Sequence, residues 1–216
     1  MKHNMILSKF EVKFYQRLES FFQSNGFSLL MDQKQFRKST QNGFQNIIFS
    51  VTETEKVFWI EVNFGVRYEF VEQIAQQFLN NARGYRPSAN TLVISIGKFQ
   101  ELKYFRFKVT DELDFGRIVE EIILFFTKRG FDFLQKAETI LFIEEILNDS
   151  PTMPCRYLYN QVHRCFKGAI AAKLTDNQNF TTIANIYRQF LLKNGTDEEL
   201  INYERLITFL HHYNAN

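Results

Sequence analysis

The apolar positions of the chain follow a helical period first and a strand period next. In residues 8–25 they recur at spacings of four, four and three, at Phe10, Phe14, Leu18 and Phe21. That stripe predicts an amphipathic helix, and glycine is a common residue just after a helix C-terminus. We therefore expect the helix to end at Gly26, where the pattern changes.

Alternation of apolar and polar residues predicts the strands of a sheet. The segments that alternate are 27–32, 35–40, 43–54, 57–66, 91–99 and 104–110. The polar residues 52–56 are few enough to connect two of these segments as a hairpin. Helical spacing returns at residues 70–78, so a helix interrupts the series of strands.

From residue 111 the pattern is helical to the end of the chain. The predicted helices are 111–129, which would end at Gly130, then 131–148, then a third from about Pro154 to Leu174. The prolines at 151 and 154 are tolerated in a first helical turn. Thr196 and Glu199 have the spacing of a capping box and predict the start of the last helix.

The order of elements predicts an α+β fold, an antiparallel sheet flanked by helices and followed by an all-helical C-terminal bundle. We place an α+β sheet domain at residues 1–130 and a helical domain, packed on it or following it, at 131–216. A chain of 216 residues can bury a sizeable core, and its 25 phenylalanines are expected to build much of it.

The net charge of +2 is unevenly distributed along the chain. Residues 1–110 hold 15 Lys and Arg against 9 Asp and Glu, whereas residues 111–216 hold 11 against 15. The basic half would attract an anion or an acidic protein surface, or it would face the acidic half across a domain contact. Both interpretations stay open.

The cysteines and the apolar runs indicate a cytoplasmic protein. Cys155 and Cys165 fall in one predicted helix at a separation of about 15 Å, too far apart to form a disulfide. Cys165 also lies on the apolar stripe, which favours a core position. Charges at Lys9, Glu11 and Lys13 interrupt any signal-peptide core. The longest apolar run is far shorter than the roughly 20 residues that span a bilayer, so no membrane partner is expected.

The sequence contains no recognisable catalytic, cofactor-binding or metal-binding motif. None of the four histidines has a ligand spacing typical of a metal site, and we expect His163 to be structural. The paired acids are adjacent helical residues that diverge by about 100°. Single glycines occur without the Lys-Ser or Lys-Thr of a phosphate loop. No catalytic, cofactor or metal residue is therefore assigned.

A loop with the sequence "NNARGYRPSAN", residues 80–90, is the strongest candidate for an interaction surface. Arg83 and Arg86 flank Gly84 and Tyr85, and arginine and tyrosine are enriched in interaction hot spots. The alternative interpretation is an ordinary connection from a helix to a strand, with Tyr85 packed against the sheet.

A second candidate surface is the sheet face that carries Trp59, Arg106 and Lys108. Aromatic and basic residues on a sheet are typical of single-stranded nucleic-acid binding, although Glu61 on the same face would repel phosphate. The alternative is a solvated sheet face. The third C-terminal helix presents a further basic row, which we interpret as a solvated face, with a site for an acidic partner as the alternative: Arg156, Asn160, Arg164 and Lys167.

Several segments resemble a family of uncharacterised bacterial proteins that is defined only as a domain of unknown function. They are Gly26-Phe27, "FRK" (36–38), "GFQNIIFSV" (43–51), "WIEVNFGV" (59–66) and "FLQKAETILFIEEIL" (133–147). The segment 168–187 is similar to helical tails appended to such domains. The resemblance implies an α+β domain in a bacterial cytoplasm and supplies no catalytic residue.

These observations favour a non-enzymatic, adaptor-like or immunity-like module that binds another protein through Arg83, Tyr85 and Arg86. The alternative function is binding of single-stranded nucleic acid by the basic N-terminal half. A third option is an enzyme whose site is assembled from dispersed residues. No cofactor is expected, and the sequence leaves open whether the chain forms a homo-oligomer.

Overall fold

The computed structural model describes residues 8–213 and confirms the α+β class, with an antiparallel sheet and a helical C-terminal part. The strands are β1 (Ser28–Leu30), β2 (Gln35–Thr40), β3 (Gly43–Thr54), β4 (Val57–Tyr68), β5 (Leu92–Ser95) and β6 (Phe107–Val109). They lie in the order β1-β2-β3-β4-β5, and β6 pairs with β4.

The helices lie near the predicted positions with two differences: the single helix predicted at 131–148 is divided in two, and a short helix replaces the end of the strand predicted at 91–99. They are α1 (Lys9–Ser24), α2 (Glu69–Phe78), α3 (Ile96–Phe99), α4 (Glu112–Phe125), α5 (Phe131–Lys136), α6 (Ile140–Asn148), α7 (Gln161–Leu174), α8 (Phe180–Asn194) and α9 (Asp197–His212). The predicted capping box opens α9, because Thr196 Oγ1 accepts from the backbone of Glu199 at 3.2 Å.

The chain divides into two compact units, each made of separated segments. Within the described residues, the first unit contains the chain up to Gly65 together with Ile94–Gln135. The second unit contains Val66–Val93 and the residues from Lys136 onward. The division into domains 1–130 and 131–216 stays a prediction, and the compact units do not follow that boundary.

The core of the first unit is aromatic, as the phenylalanine content predicts. The ring of Phe14 in α1 meets Phe49 of β3 at 5.4 Å between centroids, and Phe22 meets Phe36 of β2 at 4.7 Å. The antiparallel register pairs Phe36 with Ile47, and both are fully buried. Helical and strand periods therefore place their apolar faces against each other.

The predicted strand 91–99 is only half correct. β5 ends at Ser95, whose Oγ accepts from the backbone N–H of Lys98 at 3.2 Å and so caps α3. A serine that caps a helix offers the backbone an alternative to the sheet ladder, and this local bond turns the chain. The strand predicted at 104–110 is likewise reduced to the three residues of β6.

The predicted helix end at Gly130 is wrong, because the backbone continues through it. A π-helical turn, Phe126–Gly130, joins α4 directly to α5. Gly130 is buried, and a Cβ placed on it would lie 2.4 Å from the Phe126 ring. The glycine makes room for an aromatic ring instead of ending the helix.

The predicted third C-terminal helix begins later than expected. Asn160 is the N-cap of α7, and its side-chain oxygen accepts from the backbone of Val162 and His163. Pro154 therefore lies outside the helix, and Cys155 precedes α7 rather than sharing it with Cys165. Both cysteines are free thiols in the structure, and Cys165 has the core position predicted for it.

The second unit has its own hydrophobic core, formed by residues of α2, α7, α8 and α9. Gly168 and the alanines at 169, 171 and 172 allow α7 to approach its neighbours closely. A Cβ on Gly168 would lie 2.6 Å from the Tyr187 hydroxyl and 2.7 Å from Asn148 Oδ1. No helix in residues 8–213 is long and apolar enough to cross a lipid bilayer.

The hairpin between β3 and β4 contains a strained turn. It consists of Glu55 and Lys56, whose φ angles are 53° and 65°. Positive φ at both positions is the geometry of a type I′ turn, which favours Asn-Gly, and a left-handed non-glycine residue costs about 1–2 kcal/mol. This turn is a site where a substitution should increase stability.

We predict that Lys56→Gly raises the free energy of unfolding by about 1 kcal/mol, because glycine adopts positive φ without steric cost. Urea denaturation followed by circular dichroism measures the change. Lys56→Ala is the matched control, since it removes the charge and keeps the Cβ. An equal gain in the free energy of unfolding from both variants would show that removal of the charge causes it, and would contradict the assignment to backbone strain.

Candidate functional site: the Tyr85 loop

Residues 80–90, which we call the Tyr85 loop, join α2 to β5 with a defined backbone. The carbonyl of Ala82 accepts from the backbone N–H groups of Tyr85 at 2.9 Å and Arg86 at 3.3 Å. A short 3-10 turn, Arg86–Ser88, follows, and the Pro87 ring fits its first positions because no hydrogen bond from that nitrogen is needed. Backbone hydrogen bonds within the loop therefore form two consecutive turns before β5 begins.

Arg67 at the end of β4 fixes the second half of the loop. This guanidinium is 7 % exposed, and its Nη1 donates to the carbonyls of Arg86 at 2.9 Å and Ala89 at 3.0 Å. Its other face forms a bidentate pair with Glu69, at 2.6 and 3.1 Å. The hydrogen bonds from Arg67 hold the pKa of Glu69 below its usual value. One buried cation thus connects a strand, the start of α2 and the loop.

A buried ion pair fixes the end of the loop. Glu72 of α2 is 0 % exposed and Lys167 of α7 is 2 % exposed, with 2.8 Å between Oε1 and Nζ. The same Lys167 Nζ donates to the carbonyl of Asn90 at 2.6 Å. Thr91 Oγ1 donates to Glu72 Oε1 at 3.0 Å. Where the loop enters β5, Asn90 is therefore bonded to the lysine of the pair and Thr91 to the glutamate.

The same carboxylate also holds the start of the loop, through one intermediate residue. Gln76, one turn further along α2, donates from Nε2 to Glu72 Oε2 at 2.8 Å. Its own amide oxygen accepts from Asn81 Nδ2 at 2.9 Å. Arg67 joins the same group through an ion pair, with its Nη1 at 4.0 Å from Glu72 Oε2. Both ends of the Tyr85 loop therefore belong to one group of hydrogen bonds and ion pairs, which we call the Glu72 network: Arg67, Glu72, Gln76, Asn81, Asn90, Thr91 and Lys167.

The side chains between these anchored ends are the ones proposed from the sequence. Arg83 is exposed, and its guanidinium has no partner within residues 8–213. Tyr85 is 52 % exposed. Arg86 is half-buried and donates from Nε to the carbonyl of Asn81 at 3.1 Å, while its terminal nitrogens bond to nothing in the described chain. Two guanidinium groups and a phenol remain available on a fixed backbone.

The hydroxyl of Tyr85 stays protonated at neutral pH. Partial burial, and after it the nearby Glu72 carboxylate, raise the pKa of Tyr85 above its ordinary value. A protonated phenol donates one hydrogen bond and accepts others. The loop therefore presents donors from all three side chains.

The second surface proposed from the sequence is brought together in the first unit. Trp59 of β4 lies opposite Lys108 of β6, with Lys108 Nζ at 5.8 Å from the indole ring. Arg106 precedes β6, and its Nε lies 4.0 Å from a carboxylate oxygen of Glu61. The side chains share one face, as alternation predicts, but an acidic group lies within the patch.

The prediction of a solvated basic face on the third C-terminal helix is wrong for Arg164 and Lys167. Arg164 is 4 % and Lys167 2 % exposed, so both are buried. Arg164 donates to the carbonyl of Leu147 at 3.0 and 2.8 Å and to that of Ser150 at 2.9 Å, where α6 ends. Carbonyls at a helix C-terminus have no hydrogen-bond donor within the helix, and the Arg164 guanidinium donates to them. Asn160 caps α7, and the remaining member of the row, Arg156, precedes the helix.

Both cysteines are buried, and His163 of α7 is partly buried. Burial raises the pKa of Cys165 to about 12 and also raises that of Cys155, which disfavours a reactive thiolate. Burial and the Lys167 charge lower the pKa of His163. In the described part of the chain no group of three or more His, Cys, Asp or Glu side chains could hold a metal ion. His3 lies outside the described residues.

Comparison of the chain with protein-family models, curated proteins and solved structures gave no match. The resemblance to a bacterial domain family therefore stays a prediction.

We predict that Lys167→Met lowers the free energy of unfolding by about 3 kcal/mol, because the buried Glu72 carboxylate loses its 2.8 Å ion pair and keeps only the more distant Arg67, at 4.0 Å. Lys173→Met is the matched control, since Lys173 lies on the same helix at a partly exposed position. Thermal and urea denaturation measure both.

Adding Glu72→Gln to Lys167→Met should recover part of the loss, since a neutral amide still accepts from Thr91. Equal, small losses for Lys167→Met and Lys173→Met would contradict the assigned role of the ion pair.

Proposed function

We propose that this protein is a non-enzymatic, cytoplasmic module that binds an acidic segment of another protein through the Tyr85 loop. One observation carries the proposal: the loop presents Arg83, Tyr85 and Arg86 while the Glu72 network holds both of its ends. The proposed partner surface contains carboxylates, because guanidinium groups form paired hydrogen bonds with them.

The fixed backbone supports a binding role. Association must offset the entropy lost when a mobile loop is ordered, and a loop already held in place loses less. Tyrosine and arginine are, with tryptophan, the residues that most often dominate interface energetics. The Tyr85 loop combines both residue types with a restrained main chain, as an interaction surface requires.

The Glu72 network supports a structural role rather than catalysis for the buried acid and base. Glu72 and Lys167 are closed to solvent, and the carboxylate accepts from Lys167, Thr91 and Gln76. A general base must reach the proton that it abstracts from the substrate. Glu72 is fully bonded inside the protein, so its chemistry serves the loop.

The surface of Trp59, Arg106 and Lys108 supports the alternative, single-stranded nucleic-acid binding. Tyr104 nearby is fully exposed and could stack on a base. We favour the protein partner because the Glu61 carboxylate lies 4.0 Å from Arg106 and would oppose phosphate. The Tyr85 loop contains no acidic residue.

The test is affinity capture from a lysate of the native cell, with wild type compared with Arg83→Ala/Tyr85→Ala. We predict that a protein retained by wild type, with or without nuclease, is lost by this variant. With the purified partner, each of the two substitutions should weaken binding about tenfold, the range of a hot-spot residue.

Arg106→Ala/Tyr104→Ala is the matched control, because it removes the same two residue types from exposed positions of the other unit. It should retain the partner. Loss of capture on nuclease treatment, with affinity for oligonucleotides that falls steeply with salt, would support nucleic acid instead. Equal capture by wild type and the Arg83→Ala/Tyr85→Ala variant would show that the loop is only a connection.

A further inference from the structure

The first unit contains a pocket that is independent of the Tyr85 loop. Its volume is about 630 Å³, within the usual range for small-molecule sites. Phe105, Phe107, Leu124 and Phe125 form apolar walls, and Lys128 and Arg129 add two cations. These residues come from β6 and the residues before it, from α4 and from the π-helical turn.

The pocket face of α4 borders its core face and shares Phe125 with it. The residues of α4 and the following turn that line the pocket are spaced three, one, three and one apart, at Glu121, Leu124, Phe125, Lys128 and Arg129. Such spacing places them along one side of a helix. The side continues into the π-helical turn Phe126–Gly130, and π-helical turns recur at functional sites. The turn carries both cations of the pocket.

The uncompensated charge of the pocket is positive. Its acidic residue, Glu121, is bonded to Arg117 at 2.9 Å. Lys128 and Arg129 have no side-chain partner in residues 8–213. Cations on an open apolar pocket favour a ligand with a negative group. A carboxylate would bond to a guanidinium and an ammonium at once.

The walls favour a hydrocarbon body for that ligand. Phenylalanine and leucine side chains offer no hydrogen bonds, so a polar substituent placed against them would lose its bonds to water without replacement. An alkyl chain loses nothing there and is removed from water. We propose that this pocket binds a fatty-acid-like monocarboxylate, with the carboxylate at Lys128 and Arg129 and the chain against Phe105, Phe107 and Phe125.

The probe is decanoate, titrated into the full chain by isothermal titration calorimetry below its micelle concentration. Saturable one-site binding is expected. Octanoate should bind about fifteenfold more weakly, the loss expected for two methylene groups. Decyltrimethylammonium has the same chain with the opposite charge and should not bind. Absence of saturable decanoate binding, or equal binding of the cationic probe, overturns the proposal.

A pair of variants on one helix locates the binding. Leu124 is 57 % exposed at the pocket, and Leu113 is 85 % exposed at the start of α4, outside the pocket. Leu124→Glu places a negative charge beside the carboxylate and should weaken decanoate binding at least tenfold. Leu113→Glu should leave it unchanged. Unchanged affinity in Leu124→Glu, with circular dichroism showing native helix content, would exclude this pocket as the binding site.

The cations are tested separately with Lys128→Gln/Arg129→Gln. This variant keeps the apolar walls, so decanoate affinity should fall about tenfold or more while the ratio of decanoate to octanoate affinity stays the same. Binding that is undiminished would show that the carboxylate lies elsewhere and would overturn the assigned orientation.

Discussion

The second unit depends on the burial of one carboxylate. Glu72 is closed to water, and a buried charge is tolerated only when it is paired and hydrogen-bonded. Lys167, Thr91 and Gln76 supply those bonds, and they come from α7, from the residue before β5 and from α2 itself. Compensating the charge therefore fixes these elements relative to one another within the unit. The Tyr85 loop is the chain between two of the fixed points.

Periodicity and local capping signals were sufficient to predict much of the fold. The stripe of α1, the hairpin and the capping box of α9 each depend on residues close in sequence, and all three are present. The Tyr85 loop was predicted for the same reason, because the end of a helical pattern and the start of an alternating one enclose it. The strands beyond the loop were overestimated, since the Ser95 cap competes with the sheet.

The Glu72 network could not be predicted from spacing alone. Arg164 and Lys167 have the spacing of a solvated face, and that spacing is the same whether water or protein lies beside it. A signal was present in the adjacent residues: the range 168–172 is entirely apolar and small except for Ile170, which indicates close packing around that part of α7. In the same way, Glu72 lies between Val71 and Ile74 on the buried side of α2. Identifying such residues requires knowledge of contacts across the unit.

The pocket and the Tyr85 loop are held in place by different interactions, so substitutions nearby affect them differently. The pocket is walled by apolar side chains, and the hydrophobic effect that holds them together is non-directional, so it tolerates small shifts of a side chain. The Tyr85 loop is held by hydrogen bonds, which weaken steeply when their angle or length departs from the ideal. A change in the Glu72 network therefore alters the loop without touching Arg83 or Tyr85. Recognition by the loop is for that reason coupled to the stability of the second unit, whereas the pocket is built entirely from residues of the first.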